Sequence, residues 1–191
     1  RGRALPLGWV VRASGSATVA VACYQRMLAE VAERIPHSSR VVLLADRGFM
    51  DVKLMQLARQ LNWHFRIRVK GSVSVYRATH SRRTVAALMP PAGQARFFSH
   101  IWLTGQRFGP LHLALAYVQS QQAYLPWAIV SDEPVDLHTF DEYGLRFDIE
   151  ENFLDDKSAG FQLEASQLAD AQAISRLCLL VATATLYLVS T

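Results

Sequence analysis

Apolar positions change their spacing several times along the chain, and each change predicts an element. Residues 17–34 repeat at helical spacing and stop before Pro36, after a short β-like run at residues 7–12. Ser39-Arg-Val-Val-Leu-Leu-Ala45 is a continuous apolar run with polar flanks, the pattern of a strand covered on both faces. Helical spacing returns over residues 50–61, and His64-Phe-Arg-Ile-Arg-Val-Lys70 then alternates like a strand, closed by Gly71. Strand, helix, strand predicts a right-handed parallel crossover, in which functional groups gather at the carboxyl ends of the strands. Asp46 stands at that end.

The pattern turns β-rich over residues 72–131, with strands expected at 73–76, 95–103, 111–119 and 127–131. Pro90-Pro91, Gly105 and Gly109-Pro110 punctuate them. Helical signal resumes near Val135 and runs again from about Leu163 to the end. The expected fold is therefore α/β: a mixed sheet flanked by helices, residues 1–71 and 132–191 forming a core and residues 72–131 a β-rich insertion.

Within the later helical region, Tyr143-Gly-Leu-Arg-Phe-Asp-Ile-Glu-Glu-Asn-Phe-Leu-Asp-Asp-Lys157 places its charges oddly. With Tyr143 at zero, Arg146, Lys157 and Glu150 fall at about 300°, 320° and 340° on a wheel of 100° per residue. Phe153, Ile149 and Leu145 flank that stripe on one side; Leu154, Phe147 and Phe140 flank it on the other. Ions among core-facing positions need partners, because desolvation costs several kcal/mol per ion. Two arrangements satisfy this: an internal Arg146 to Glu150 pair with Lys157 reaching out along its stem, or a cleft in which Glu150 meets a cation and its basic neighbours meet anions.

Composition adds a direction. The chain has 191 residues, 51% apolar and 19% charged, an ordinary globular balance that fits one domain or one with an insertion. Twenty basic and sixteen acidic side chains give a net charge of +4, mildly favouring a polyanionic partner. The excess is concentrated: Arg59, Arg66, Arg68, Lys70, Arg77, Arg82, Arg83, Arg96 and Arg107 lie in a stretch without Asp or Glu, which reads as a phosphate-facing surface or a solvated face. Cys23 and Cys178 are isolated in helical patterns and read as buried free thiols. The apolar run at 177–190 is too short to span a bilayer and reads as a core helix, so no membrane partner is expected. The opening Arg1-Gly-Arg, without Met or signal peptide, reads as a cut inside a longer protein.

An aspartate ending a central strand and a glutamate on a later charged helix fit a site for Mg²⁺ or Mn²⁺, hard ions that need only one or two carboxylates beside water and phosphate oxygens. Asp51 reads chiefly as a carboxylate at a helix N-terminus. His37, His64, His80, His100, His112 and His138 show no metal-ligand spacing and read as surface or strand residues.

Tyr143, two residues, Arg146, three residues, Glu150, six residues and Lys157 resemble the Tyr-Arg-Glu-Lys signature of DDE transposases of the insertion-sequence-four group. Asp46 in "LLADRGF" is similar to the second catalytic aspartate of that family, and the likeness runs from "ALPLGWVV" to "EENFLDDKSAGFQLEAS". The resemblance implies a ribonuclease-H-like core with a β-strand insertion before the glutamate helix. It implies that Asp46 and Glu150 are catalytic metal ligands for Mg²⁺ (or Mn²⁺), and that Tyr143, Arg146 and Lys157 contact DNA phosphates. It implies Mg-dependent hydrolysis and strand transfer at transposon ends, a homodimer on DNA, and a bacterial cytoplasmic, nucleoid-associated location. Trp102 reads as a packed sheet aromatic, with base stacking as the alternative.

The family uses three carboxylates, the first on a strand upstream of "ALPLGWVV". No Asp precedes Asp46 here, and Glu30 and Glu33 lie in a helical stretch. The N-terminal strand or strands of the core are thus expected to be missing, and the chain alone to be inactive. The alternatives are a catalytically inactive DNA-binding remnant and an α/β domain whose charged stripe is only an ion-pair network.

Overall fold

A computed structural model describes residues 4–12, 20–77, 81–120, 123–149, 168 and 170–190. Two compact units form: residues 38–144, and residues 1–37 together with 145–191.

In the first unit, β1 (Val42–Ala45) leads through a single 3₁₀ turn (Arg47–Phe49) to helix α2 (Val52–Gln60) and strand β2 (His64–Arg68). Asp51 caps α2, its Oδ1 accepting from Lys53 N at 2.7 Å. The helix buries Leu54, Met55 and Ala58, at helical spacing, and packs on β2. Its end is set by Asn62 at φ 56°, with Asn62 N donating to Arg59 O and Trp63 N to Ala58 O, the paired bonds of a left-handed helix stop. That stop reverses the chain, and β2 runs parallel to β1 with Val42 opposite His64 and Ala45 opposite Ile67.

Strands β3 (Ser74–Tyr76), β4 (Arg82–Thr84), β5 (Ala95–Leu103), β6 (Phe108–Ser120) and β7 (Ala123–Ser131) join the same sheet in the order β1-β2-β7-β6-β5-β3-β4. All pairs except β1 with β2 are antiparallel. Phe65, Ile67, Ile101, Leu111, Leu113 and Leu115 form the centre of the core, each fully buried. A four-residue helix, α3 (Val85–Leu88), follows β4 and is capped by Thr84 Oγ1. Helix α4 (His138–Gly144) lies on the opposite face of the sheet from Phe65 and Ile67; its Phe140 meets Phe97 on β5, with ring centroids 6.3 Å apart.

In the second unit, α1 (Val21–Ala32) and the closing helix, named α5 here (Ala171–Ser190), are described. Residues 7–12 are not a strand. No neighbouring strand of the described residues pairs with them, and side chains hold the segment instead: Trp9 Nε1 donates to Ser175 Oγ at 3.2 Å, Arg34 Nη1 to Leu7 O at 3.4 Å, and Arg12 Nη1 contacts Cys23 Sγ. Cys23 and Cys178 are half-buried rather than buried. Among the described side chains, the expected core helix at the end of the chain buries a narrow stripe, Val181 and Thr185 one turn apart, whereas Leu179, Leu180, Leu186 and Tyr187 are exposed. No helix of the described residues is long and apolar enough to cross a membrane.

The helical wheel over residues 140–157 assumed one continuous helix. Instead α4 stops at Gly144, a residue with a high entropic cost in a helix, and Leu145 and Arg146 form a turn before helical geometry returns at 147–149. Leu145 and Ile149, expected toward the core, are accordingly exposed. Glu150 and Lys157 lie outside the described residues.

Candidate active site

The register of the two parallel strands dictates the site. Ala45 faces Ile67, so the next residues of each strand, Asp46 and Arg68, leave the sheet side by side and on the same face as Leu44 and Arg66. Arg68 Nη1 lies 3.9 Å from Asp46 Oδ1, and Arg68 Nη2 donates to Pro126 O at 3.0 Å. Arg68 pairs in register with Ile129, so Trp127, two residues earlier on β7, shares its face; the guanidinium carbon stands 5.9 Å from the Trp127 ring centroid. Tyr143 arrives from the last turn of α4. Its ring is fully buried against Trp127, centroids 5.2 Å apart and nearly perpendicular, and its hydroxyl reaches Asp46 Oδ1 at 3.5 Å. The Asp46 side chain remains 38% exposed, so this corner is open to a ligand.

A second polar cluster occupies the same face of β2. Arg66, on a strand covered on both sides, donates to Glu142 Oε2 (3.1 Å), Glu133 Oε2 (2.9 Å), Ser131 Oγ (2.6 Å) and Phe65 O (3.3 Å). Glu133 also receives Arg40 Nη2 at 2.7 Å. His64 Nδ1 lies 2.9 Å from Asp132 Oδ2, whose other oxygen accepts from Phe65 N at 2.9 Å. Burial pushes the Glu133 carboxyl up, but the hydrogen bonds from Arg40 and Arg66, with the charges of Arg66 and His64, outweigh it and leave it below the usual carboxylate range. The same contact raises Arg40. Arg66 therefore spends its donors on internal acceptors, two of them carboxylates. This cluster fastens α4, through Glu142, to the sheet one residue before Tyr143.

Of the residues expected in the site, the structure brings Asp46 and Tyr143 together. Arg146 belongs to the other unit, its guanidinium 4.3 Å from the Phe147 ring centroid. Asp51 is occupied as a helix cap. Trp102 is half-buried in β5 opposite Tyr76. His112 is held below the usual imidazole range by burial and then by His100, whose ring lies 5.9 Å away. No group of three or more His, Cys, Asp or Glu side chains converges as a metal site among the described residues. Sequence reasoning did not single out Arg68 among the nine basic residues and did not name Trp127; the available signal was His64, Arg66 and Arg68 alternating with apolar residues along the strand expected at 64–70.

A mixed sheet flanked by helices, carrying an aspartate at the carboxyl end of its parallel pair, defines an α/β domain compatible with the DDE class. The family described as "Transposase DDE domain" matches residues 20–187, and the chain belongs to it. Comparison with curated proteins finds no match.

Proposed function

We propose that the chain is the catalytic core of a DNA transposase of the insertion-sequence-four group, carrying out divalent-metal-dependent phosphodiester hydrolysis and strand transfer at transposon ends. The observation that carries this is Asp46 at the open end of β1, with the Tyr143 hydroxyl and the Arg68 guanidinium both directed at its Oδ1.

The donor set fits the ion. A part-exposed carboxylate that opens to water is what Mg²⁺ or Mn²⁺ takes, since such ions keep several waters and use one or two carboxylates. Asp46 and Glu150 would hold it, and the bound ion supplies Lewis acidity toward the scissile phosphate. Tyr143, fully buried with its ring against Trp127, orients Asp46 through its hydroxyl, and the phosphate contact expected of it would require this corner to open. Arg146 and Lys157 bind phosphate oxygens, the first by its planar fork and the second as a point charge. Residues 72–131 are read as the insertion that extends the sheet before the glutamate helix, and the working form is a homodimer on DNA.

The test uses the full-length protein and DNA bearing the element's ends. Nicking and joining with Mg²⁺ are expected, and Asp46→Asn and Glu150→Gln are each expected to reduce them by about a hundredfold to a thousandfold, the scale on which an electrostatic group acting in the transition state contributes. Undiminished cleavage in Asp46→Asn would refute the assignment. Salt-sensitive DNA binding without cleavage under any metal would instead identify a remnant that retains only its DNA contacts.

A further inference from the structure

Arg66 and Arg68 stand two residues apart on β2, on one face, and both are largely withdrawn from solvent, with side chains 4% and 14% exposed. Their surroundings differ. A guanidinium carries five N–H donors in a fixed fork. Arg66 spends its donors on four acceptors, two of them carboxylates. Arg68 has one acceptor among the described residues, Pro126 O. Its approach to Asp46, at 3.9 Å, is a contact of charges and too long for a hydrogen bond. Its unmatched nitrogens are not sealed from solvent, so water satisfies them and an anion can take the place of that water. Its Nη1 borders the part-exposed carboxylate of Asp46, so the anion would arrive at the same open corner.

We propose that Arg68 is a binding residue for a DNA phosphate beside Asp46, and that by turning from Asp46 to that phosphate it couples divalent-metal binding to DNA binding. The proposal rests on the reading of Asp46 as a metal ligand. Before DNA arrives, Arg68 neutralises the charge that a divalent ion needs, so protein and metal compete for one carboxylate. A phosphodiester offers two oxygens matched to the guanidinium fork, a better partner than a carboxylate at 3.9 Å. Pro126 O and the Trp127 ring hold the far side of the guanidinium, so the exchange needs only a small swing of the near side. Each ligand then favours the other by the same factor, as linkage requires.

The experiment measures Mn²⁺ binding to this chain by electron paramagnetic resonance of the free ion, at roughly 50 mM salt, where phosphate contacts are strong. It is done with and without a blunt DNA duplex, with ion bound by duplex alone subtracted. Wild type is expected to bind Mn²⁺ about tenfold more tightly with duplex, within the usual range of coupling between sites. Arg68→Gln is expected to bind Mn²⁺ more tightly than wild type without DNA and to change by less than about twofold when duplex is added. If that variant does not fold, Arg68→Lys, which keeps charge but loses the fork, is expected to show coupling reduced at least about threefold. Full tightening by duplex in the Arg68 variant, or weaker Mn²⁺ binding by it without DNA, overturns the proposal. Asp46→Asn separates the two layers. Mn²⁺ binding unaffected by that change removes the metal reading and this proposal with it, whereas binding lost there but fully coupled in Arg68→Gln removes only the proposal.

Discussion

Arg66 and Arg68 show how much the surroundings of one residue type decide. Arg66 holds Glu133 and Glu142 to the sheet, and replacing it with Met removes the ion pair of Glu142 and one of the cationic partners of Glu133, which keeps Arg40 and His64. The expected loss of stability is near the low end of about 3–5 kcal/mol for a broken buried pair, because Glu142 is 44% exposed and can turn to water. A lower urea midpoint at unchanged slope would register it. Glu133 gives this cluster a pH dependence. Its carboxyl is depressed in the folded state, so its stabilisation is complete above the unfolded carboxylate value of about 4.3 and is lost as pH falls through the lower folded value. Glu133→Gln is therefore expected to flatten the acid limb of a plot of urea midpoint against pH between about 5 and 3, and an unchanged limb would contradict the network.

At the level of elements, close approach of backbones sets the harder constraint. A Cβ on Gly109 would stand 2.6 Å from Ile101 O and 2.7 Å from Trp102 Cδ1, where β6 begins to pair with β5. Because one obstacle is backbone, Gly109→Ala is expected to cost about 1–3 kcal/mol, as overpacking does, with loss of the native Trp fluorescence at lower urea. The elements also show what a sequence reveals. Strand β1 was legible because Val41 to Ala45 are uniformly apolar, β5 because Pro-Pro and Gly bracket it, and α2 because Leu54, Met55 and Ala58 repeat at helical spacing. Strand β4 was missed, since an edge strand of Arg82, Arg83 and Thr84 has no apolar face to announce it. The run at residues 7–12 misled for the converse reason: strand propensity needs a neighbouring strand, and among the described residues none pairs with it. In the site, Asp46 could be placed from the end of an apolar run, whereas Arg68 could not be told from its basic neighbours. Telling them apart requires knowing that Glu133 and Glu142, far along the chain, come to Arg66 and not to Arg68.

Across the whole molecule the charges are segregated by structure as well as by sequence. Residues 52–131 contain no Asp or Glu, and within them Arg66 and Arg68 sit at carboxylates brought from outside that stretch. Arg82 and Arg83 lie at the other end of the sheet from Asp46, exposed on the edge strand β4, and no carboxylate among the described residues pairs with either. Exposed cations there serve at least to blunt an open sheet edge. If they also meet the DNA backbone, each releases counterions on binding, and the two properties respond differently to mutation. Arg82→Ala with Arg83→Ala is expected to leave the urea midpoint within about 0.5 kcal/mol of wild type, as surface substitutions do. The slope of log affinity for duplex DNA against log salt should become shallower by about 1.8, two phosphate contacts at roughly 0.9 each. Fluorescence anisotropy of a labelled duplex over a series of salt concentrations reads that slope directly. An unchanged slope would confine Arg82 and Arg83 to keeping the sheet edge from pairing with other chains.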